Sequence, residues 1–385
     1  MLSKNAQYIL NKLNEHGFEA YLVGGCVRDK LLNKQPEDYD VTTNALPKEI
    51  EKVFSDFHLN LKGLKHGTVG VIINGEMIEI TTYRIEKEYV DFRKPREVAF
   101  TSDLIEDLAR RDFTINAMAM DINENIIDVF DGKKDLKNKI IQTVNEPEQR
   151  FNEDALRIMR CLRFASIEGF KIEKSTLKYA NLLAPNLKHI AYERIYTELK
   201  KMLMLPNAYN IIKETRPVFE NIFPTLNIAN WNELSKNIQK CNCDWMLALA
   251  ILLINGETKQ ELERLKVESK TKKLILNLKE LLNQNVKNDQ AFLQKMMCVY
   301  SKEQILFLCA YLTIITDEDY NKNAKKASKG ITSVNELDIT GETLKNLGFK
   351  SYKIKQALNI LLDAVIENKV KNQEKDLIEY AKKQA

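Results

Sequence analysis

Gly24 and Gly25 stand side by side, and a short reach later Asp38 and Asp40 stand one residue apart. A Gly-Gly turn lets the backbone come close to a phosphate, because glycine has no Cβ to block the approach. An Asp-x-Asp on a strand puts both carboxylates on one face, since successive side chains alternate. Two carboxylates on one face with phosphates nearby suit a pair of magnesium ions and in-line phosphoryl or nucleotidyl transfer. Each motif alone has a plainer reading, a turn for the glycines and a solvated strand end for the aspartates. The glycines also lack the G-x-G-x-x-G spacing of a dinucleotide fingerprint. Arg28 shifts the balance, because an arginine in the first turn of the next helix can reach a phosphate at that helix's N-terminus. Otherwise Arg28 and Asp29 are surface charges.

Three further segments carry groups that could join this chemistry. Residues 77–82, MIEITT, place Glu79 between two isoleucines. An acid there is either an edge-strand solubility device or a third carboxylate aimed at the same metals, and the second reading is favoured. Residues 109–121, ARRDFTINAMAMD, lead two arginines and an aspartate into a small apolar stretch. Arg111 could hold a triphosphate and Asp112 could accept a hydrogen bond from a ribose hydroxyl; alternatively Asp112 caps a helix or pairs with a cation. In residues 150–165, RFNEDALRIMRCLRFA, helical spacing gives Ala155, Ile158, Leu162 and Ala165 an inward apolar stripe. Asp154, Arg157 and Arg160 follow at i, i+3 steps, with Arg163 beyond them. A solvated face with a Glu153–Arg157 pair is the bland alternative. Three arginines this close call for something anionic to neutralise them.

The elements that must position these groups divide the chain. Strand signals run from about residue 20 to 130, in EAYLVGG, YDVTT, GTVGVIING, EMIEITTYR and MAMDINENIIDVF, with a helical pattern over 46–54 among them. After about residue 150 nearly everything reads as helix, including 152–166, 192–204, 244–253, 272–282 and 352–367. All eight prolines lie at or before Pro224. The expected plan is an α+β or mixed-sheet head followed by a long helical part.

The bulk properties are those of an ordinary globular protein, with 44% hydrophobic and 29% charged residues among 385. The net charge of +4 leaves room for a local basic surface without demanding one. The longest apolar run, residues 246–254, is about half of what a bilayer requires, and the N-terminus lacks the features of a signal peptide, so no membrane partner and a cytoplasmic location are expected. The six cysteines form no Cys-x-x-Cys, and buried free thiols are expected. Lys266, Lys270, Lys272, Lys273 and Lys279, and later Lys322, Lys325, Lys326 and Lys329, could follow a phosphate backbone, although most lysine clusters are solvated faces.

GGCVRD, then DYD, then RRDFTINAMA, then EDALRIMRCLRF, in this order, resemble the bacterial class II tRNA nucleotidyltransferases, the CCA-adding enzymes, of the superfamily shared with bacterial poly(A) polymerases. The strong motifs span roughly residues 20–165; weaker similarity continues through YERIYTELKKML and LDITGETLKNLGF. The resemblance implies a seahorse-like, elongated chain with a catalytic head over residues 1–140, a nucleotide-selecting neck over 141–206, a helical body over 207–290 and a tRNA-binding tail over 291–385. It implies metal ligands at Asp38 and Asp40, with Glu79 as the acidic strand residue and Mg2+ as cofactor. It implies nucleotide contacts at Gly24, Gly25, Arg28, Arg111, Asp154, Arg157, Arg160 and Arg163, with Asp112 on the ribose side. Residues 88–100, EYVDFRKPREVAF, resemble the flexible loop tied to the final A addition. The implied partners are the tRNA 3′ end, with CTP and ATP as substrates; a homodimer is compatible with this reading.

Asp154 and Arg157 can then act as a template made of protein. Arginine only donates hydrogen bonds and an ionised aspartate only accepts them. Cytosine and adenine both present an amino donor beside a ring-nitrogen acceptor, so one Asp–Arg pair serves either after a small shift. Uracil and guanine put a carbonyl where the amino group belongs, and each buried group left unpaired costs about 1–3 kcal/mol. The expected activity is addition and repair of the 3′-terminal CCA. A poly(A) polymerase, an A-only enzyme with the same head, and a catalytically silent RNA-binding protein are the rival readings.

Overall fold

Alternating and β-branched segments in the first part of the chain become strands. The computed structural model describes residues 2–90 and 94–383, with side chains outside 86–98. In it β1 (Ala20–Val23), β2 (Asp40–Thr43), β3 (His58–Asn60), β4 (Thr68–Ile73) and β5 (Glu76–Thr82) precede a separate antiparallel hairpin, β6 (Arg84–Val90) with β7 (Lys94–Phe100). Two short strands follow, β8 (Ala119–Met120) and β9 (Ile126–Ile127). The main sheet has seven strands in the order β3-β4-β5-β2-β1-β8-β9. Its neighbours are antiparallel except β2 and β5, which run parallel with Asp40 opposite Glu79. The mixed-sheet head expected from the sequence is therefore present.

The first helices cover and punctuate this sheet. They are α1 (Lys4–Glu15), α2 (Gly25–Leu31), α3 (Pro47–Val53), α4 (Leu104–Ala109) and α5 (Gly132–Asn138). Three of these starts have a plain local cause: Ser3 caps α1 by accepting from the Ala6 N–H, Pro47 opens α3, and Asp103 caps α4 by accepting from the Ile105 N–H. Next come α6 (Pro147–Glu153), α7 (Leu156–Ala165), α8 (Lys174–Leu182) and α9 (Tyr192–Leu203), which packs against α7. A short parallel pair, β10 (Ile140–Ile141) with β11 (Lys171–Ile172), ties the start of this helical layer together.

Two local expectations change. The helix expected over 152–166 is two helices, broken at Asp154, whose backbone is extended at φ −139° and ψ 104°. Aspartate competes with the helix by bonding to nearby backbone, and here its carboxylate accepts from the Leu156 N–H at 3.0 Å. Asp40 is the first residue of β2 and Asp38 precedes the strand. The segment 88–100 falls within the β6–β7 hairpin, and residues 91–93 between its strands, with the side chains of 86–98, lie outside the described residues.

The chain folds as two units, Met1–Leu226 and Asn227–Ala385. The second is helical among its described residues. The apolar run of the sequence is the helix Trp245–Leu253, buried from Leu247 onward, which explains why it is apolar on all sides. A cluster of Leu337, Ile339, Leu344, Leu361, Leu362, Ile366, Leu377 and Ala381 forms a core near the C-terminus. Lys322, Lys325, Lys326 and Lys329 are exposed on and just after the helix Tyr320–Ala327. Of the earlier lysines, Lys270 and Lys272 pair with Glu303 and Glu263, and Lys279 donates to the Gly256 carbonyl at 2.7 Å. All six cysteines are free thiols as expected, but Cys243 and Cys298 are exposed rather than buried. Among the described residues no helix is long and apolar enough to cross a membrane.

Candidate active site

The turn from β1 into α2 runs through Gly24 at φ +74° and ψ −130°, a conformation essentially closed to any residue with a Cβ. A Cβ on Gly24 would lie 3.2 Å from Arg111 Nη1 and 3.9 Å from Asp40 Oδ2. The bare face of this glycine is therefore where the arginine from the end of α4 meets the aspartate at the start of β2. Asp38 and Asp40 are both exposed, with Tyr39 buried between them. The Asp40 carboxyl is pushed above the ordinary carboxylate range by desolvation first; Arg111 opposes this, and the Glu79 and Asp38 charges add to it.

The same turn borders an open cleft of about 1070 Å3, at or above the ~300–1,000 Å3 of a single small-ligand pocket. Gly24, Gly25, Arg28, Asp38, Asp40, Arg111, Asp112, Asp154, Arg157, Arg160 and Arg163 all line it. Glu79 does not; it is exposed on β5 beside Asp40, close enough to act on its charge. The lining brings nine cationic side chains against six carboxylates. That excess suits a polyanionic ligand.

A hydrogen-bonded chain runs across the cleft floor. Arg28 donates to Asp29 Oδ1 at 2.7 Å and, through Nη1, to Asn116 Oδ1 at 2.8 Å. Asn116 Nδ2 donates to Asp112 Oδ1 at 3.1 Å, and Arg160 Nε donates to Asp112 Oδ2 at 2.7 Å. Asp112 also accepts from the Phe113 N–H at 2.9 Å, so its oxygens are heavily engaged within the protein. The pair with Arg160 is one of the roles read from the sequence for Asp112. Burial alone would raise its carboxyl, but the Arg160 guanidinium, the Asn116 bond and the Arg157 charge outweigh that and bring it down to about 2.

The sign of this shift gives a pH test. A carboxyl lowered in the folded state stabilises the protein fully above its unfolded value near 3.8 and loses that contribution as pH falls toward about 2. Wild type is therefore expected to lose about 2 kcal/mol more than Asp112→Asn between pH 4 and pH 2. Parallel acid limbs in urea melts of the two proteins would contradict this.

Phe164 lies beneath the arginines. The guanidinium carbons of Arg28, Arg160 and Arg163 sit 5.1, 5.6 and 4.3 Å from its ring centroid, and Phe113 packs edge-on at 5.7 Å. Such contacts, each worth about 0.5–1 kcal/mol or more when desolvated, help like charges share one wall. Arg163 is held from α9 by Glu198 at 3.1 Å.

Asp154 and Arg157 both face the cleft, each held by a different partner. Arg194 of α9 donates to Asp154 Oδ2 at 3.4 Å. Arg157 is paired with Glu153, the local pair read as the bland alternative, yet both side chains are largely buried. Its Nη2 donates to the Arg110 carbonyl at 3.0 Å and its Nη1 to the Arg150 carbonyl at 3.1 Å.

Asp107, Asn116, Phe164, Arg194 and Glu198 were not singled out from the sequence. Asp107 lies three and four residues before Arg110 and Arg111, and that helical spacing was a readable signal. Asn116 had a local signal only toward Asp112, four residues before it; its Arg28 partner and the Asp154 partner of Arg194 are 88 and 40 residues away.

Among the described residues no three His, Cys, Asp or Glu side chains close into a metal cluster. Two carboxylates beside a cationic wall still fit a hard divalent cation that takes its other ligands from substrate phosphates and water.

Comparison with known proteins places this cleft in a family. Residues 20–142 match the Poly A polymerase head domain, 169–228 the "Probable RNA and SrmB- binding site of polymerase A", and 237–381 the tRNA nucleotidyltransferase domain 2. A CCA-adding enzyme of Staphylococcus saprophyticus is 35% identical over 99% of this chain and 98% of its own length. The crystal structure of the Bacillus stearothermophilus CCA-adding enzyme in complex with CTP superposes with a TM-score of 0.75 at 28% identity, covering 98% of this chain and 96% of that one. The Thermotoga maritima CCA-adding enzyme complexed with tRNA shares the fold, with a TM-score of 0.76 at 22% identity over 100% of this chain and 97% of that one.

Proposed function

The chain belongs to the CCA-adding enzymes, and on that premise we propose that it adds and repairs the 3′-terminal CCA of tRNA from CTP and ATP, releasing pyrophosphate without a nucleic-acid template. The observation that carries this reading is the convergence of Gly24, Asp38, Asp40, Arg111, Asp154 and Arg157 on one cleft. We assign residues 1–140 to a catalytic head, 141–206 to a nucleotide-selecting neck, 207–290 to a body and 291–385 to a tail that grips tRNA.

Asp38 and Asp40 would hold the divalent metal, Mg2+ in this proposal, with Glu79 supporting them from β5. When bound, the metal lowers the pKa of the tRNA 3′-hydroxyl and offsets charge on the leaving pyrophosphate. The residues of the chain do the rest. Gly24 and Gly25 leave room for the triphosphate; Arg28, Arg111, Arg160 and Arg163 neutralise it. Asp112 fixes Arg160 and, through Asn116, Arg28. Asp154 accepts the amino group of cytosine or adenine, and Arg157 donates to the adjacent ring acceptor. Arg194 and Glu153 hold these two groups before the base arrives, so less ordering remains to be done on binding.

Arg157→Ala tests the protein template. The preference for CTP over UTP in kcat/KM is expected to fall about 10- to 100-fold, the equivalent of one or two unpaired buried groups. Unchanged discrimination against UTP would sink the template assignment.

A further inference from the structure

Asp107 is fully buried within α4, yet it contacts elements on three sides. Its Oδ1 accepts from Arg110 Nη2 at 2.7 Å and Nε at 2.9 Å, and from the backbone N–H of Arg84 at 3.3 Å. Its Oδ2 accepts from Arg111 Nη2 at 3.3 Å and from Thr42 Oγ1 at 3.2 Å. Thr42 lies on β2, two residues beyond Asp40, and Arg84 opens β6.

We propose that Asp107 is a positioning residue for nucleotide binding: it sets the angle at which Arg111 crosses Gly24 and links that angle to the base of the β6–β7 hairpin. This rests on the reading above in which Arg111 meets the triphosphate. One carboxylate holds both groups, so a displacement of Arg84 that draws on Oδ1 also moves the partner of Arg111 on Oδ2. Arg111 has little freedom of its own, since its Nη1 lies against the bare face of Gly24. The link continues into the neck, where Arg157 and Arg150 donate to the carbonyls of Arg110 and Ala109 at 3.0 and 3.2 Å. A buried carboxylate bonded only to its own helix would have no such reach. This one joins the strand of the metal-side aspartate, the hairpin base and the phosphate-side arginine. The neighbouring Arg110 and Arg111 hold its carboxyl below the ordinary range against desolvation, so it stays ionised while buried.

The test is a double-mutant cycle in the full-length chain with Asp107→Asn, Arg111→Gln and the double variant. KM and kcat for CTP and ATP are measured on tRNA, alongside thermal melts. Asp107→Asn is expected to raise the nucleotide KM about tenfold in the wild-type background and less than about twofold in the Arg111→Gln background. Asp107→Glu, which keeps the charge and moves the carboxylate, gives the same pattern and stands in if the asparagine variant does not fold. A lower melting temperature with KM unchanged, or an equal effect in both backgrounds, would overturn the proposal while leaving the role of Arg111 intact. An Arg111→Gln variant with normal KM would overturn the triphosphate reading of Arg111 and this inference with it.

Discussion

Asp40→Ala is expected to lower nucleotide transfer at least about a thousandfold, the rate equivalent of several kcal/mol of lost metal-centred charge stabilisation. Binding of CTP and ATP is expected to remain measurable, because the arginines and the base-reading pair stay in place. Stability should not fall with activity. Asp40 is open to the cleft, supports no packing, and stands among the like charges of Asp38 and Glu79 with only Arg111 opposing them. Removing it relieves repulsion, so the melting temperature should hold or rise, as is common where an active site gathers like charges for function. Nucleotide binding by equilibrium dialysis, pyrophosphate release and a thermal melt on one preparation check all three expectations. Near-normal turnover would refute the assignment of Asp40 to the metal.

Gly132→Ala is the substitution expected to damage the folded state most. Gly132 is buried at the start of α5, and a Cβ there would sit 2.3 Å from the Thr114 carbonyl oxygen and 2.9 Å from Met118 Cγ. Backbone cannot yield as a flexible side-chain tip can. Alanine gains at most about 1 kcal/mol of helix propensity over glycine, against about 1–3 kcal/mol or more for overpacking a closed contact. The clash wins, and it pushes on the turn Thr114–Asn116. Asn116 joins Arg28 to Asp112, so the displacement also reaches the cleft floor. A net loss of about 1–3 kcal/mol in urea unfolding, with a raised nucleotide KM in the protein that remains folded, is the expected result. An unchanged unfolding midpoint would show that α5 can shift away from the turn freely.

How much of this site could be read in advance depended on how local each relationship is. The glycine pair, the two aspartates and the neck arginines carry their chemistry in short spacings, and the cleft gathers them. The sheet's central strands were equally plain, since EAYLVGG, GTVGVIING and EMIEITTYR alternate or run apolar between turn residues. The three-residue β3 is too short to show a period. The break at Asp154 was hidden because Phe151 before it and Ala155, Ile158, Leu162 and Ala165 after it keep the spacing of one helical apolar stripe, and all five are fully buried. Long-range partners were invisible for a different reason. Nothing in the spacing of Arg28 and Asn116, or of Asp154 and Arg194, announces that folding brings them together. The Asp107 contacts with Arg110 and Arg111 were within local reach, but that carboxylate's tie to Thr42 and Arg84 depends on the sheet.

The central claim is that one cleft, reading bases with protein side chains, builds C, C and A in turn on a tRNA end. It is tested most directly by offering the protein tRNAs that end at the discriminator base, at C and at CC, each with magnesium and with CTP, ATP or both, and sequencing the 3′ ends. The account predicts CC from CTP alone on the first substrate, a single A from ATP only on the tRNA ending in CC, and a halt at CCA when both nucleotides are present. Repeated A addition from ATP alone, or extension of RNA without a tRNA fold, would contradict it.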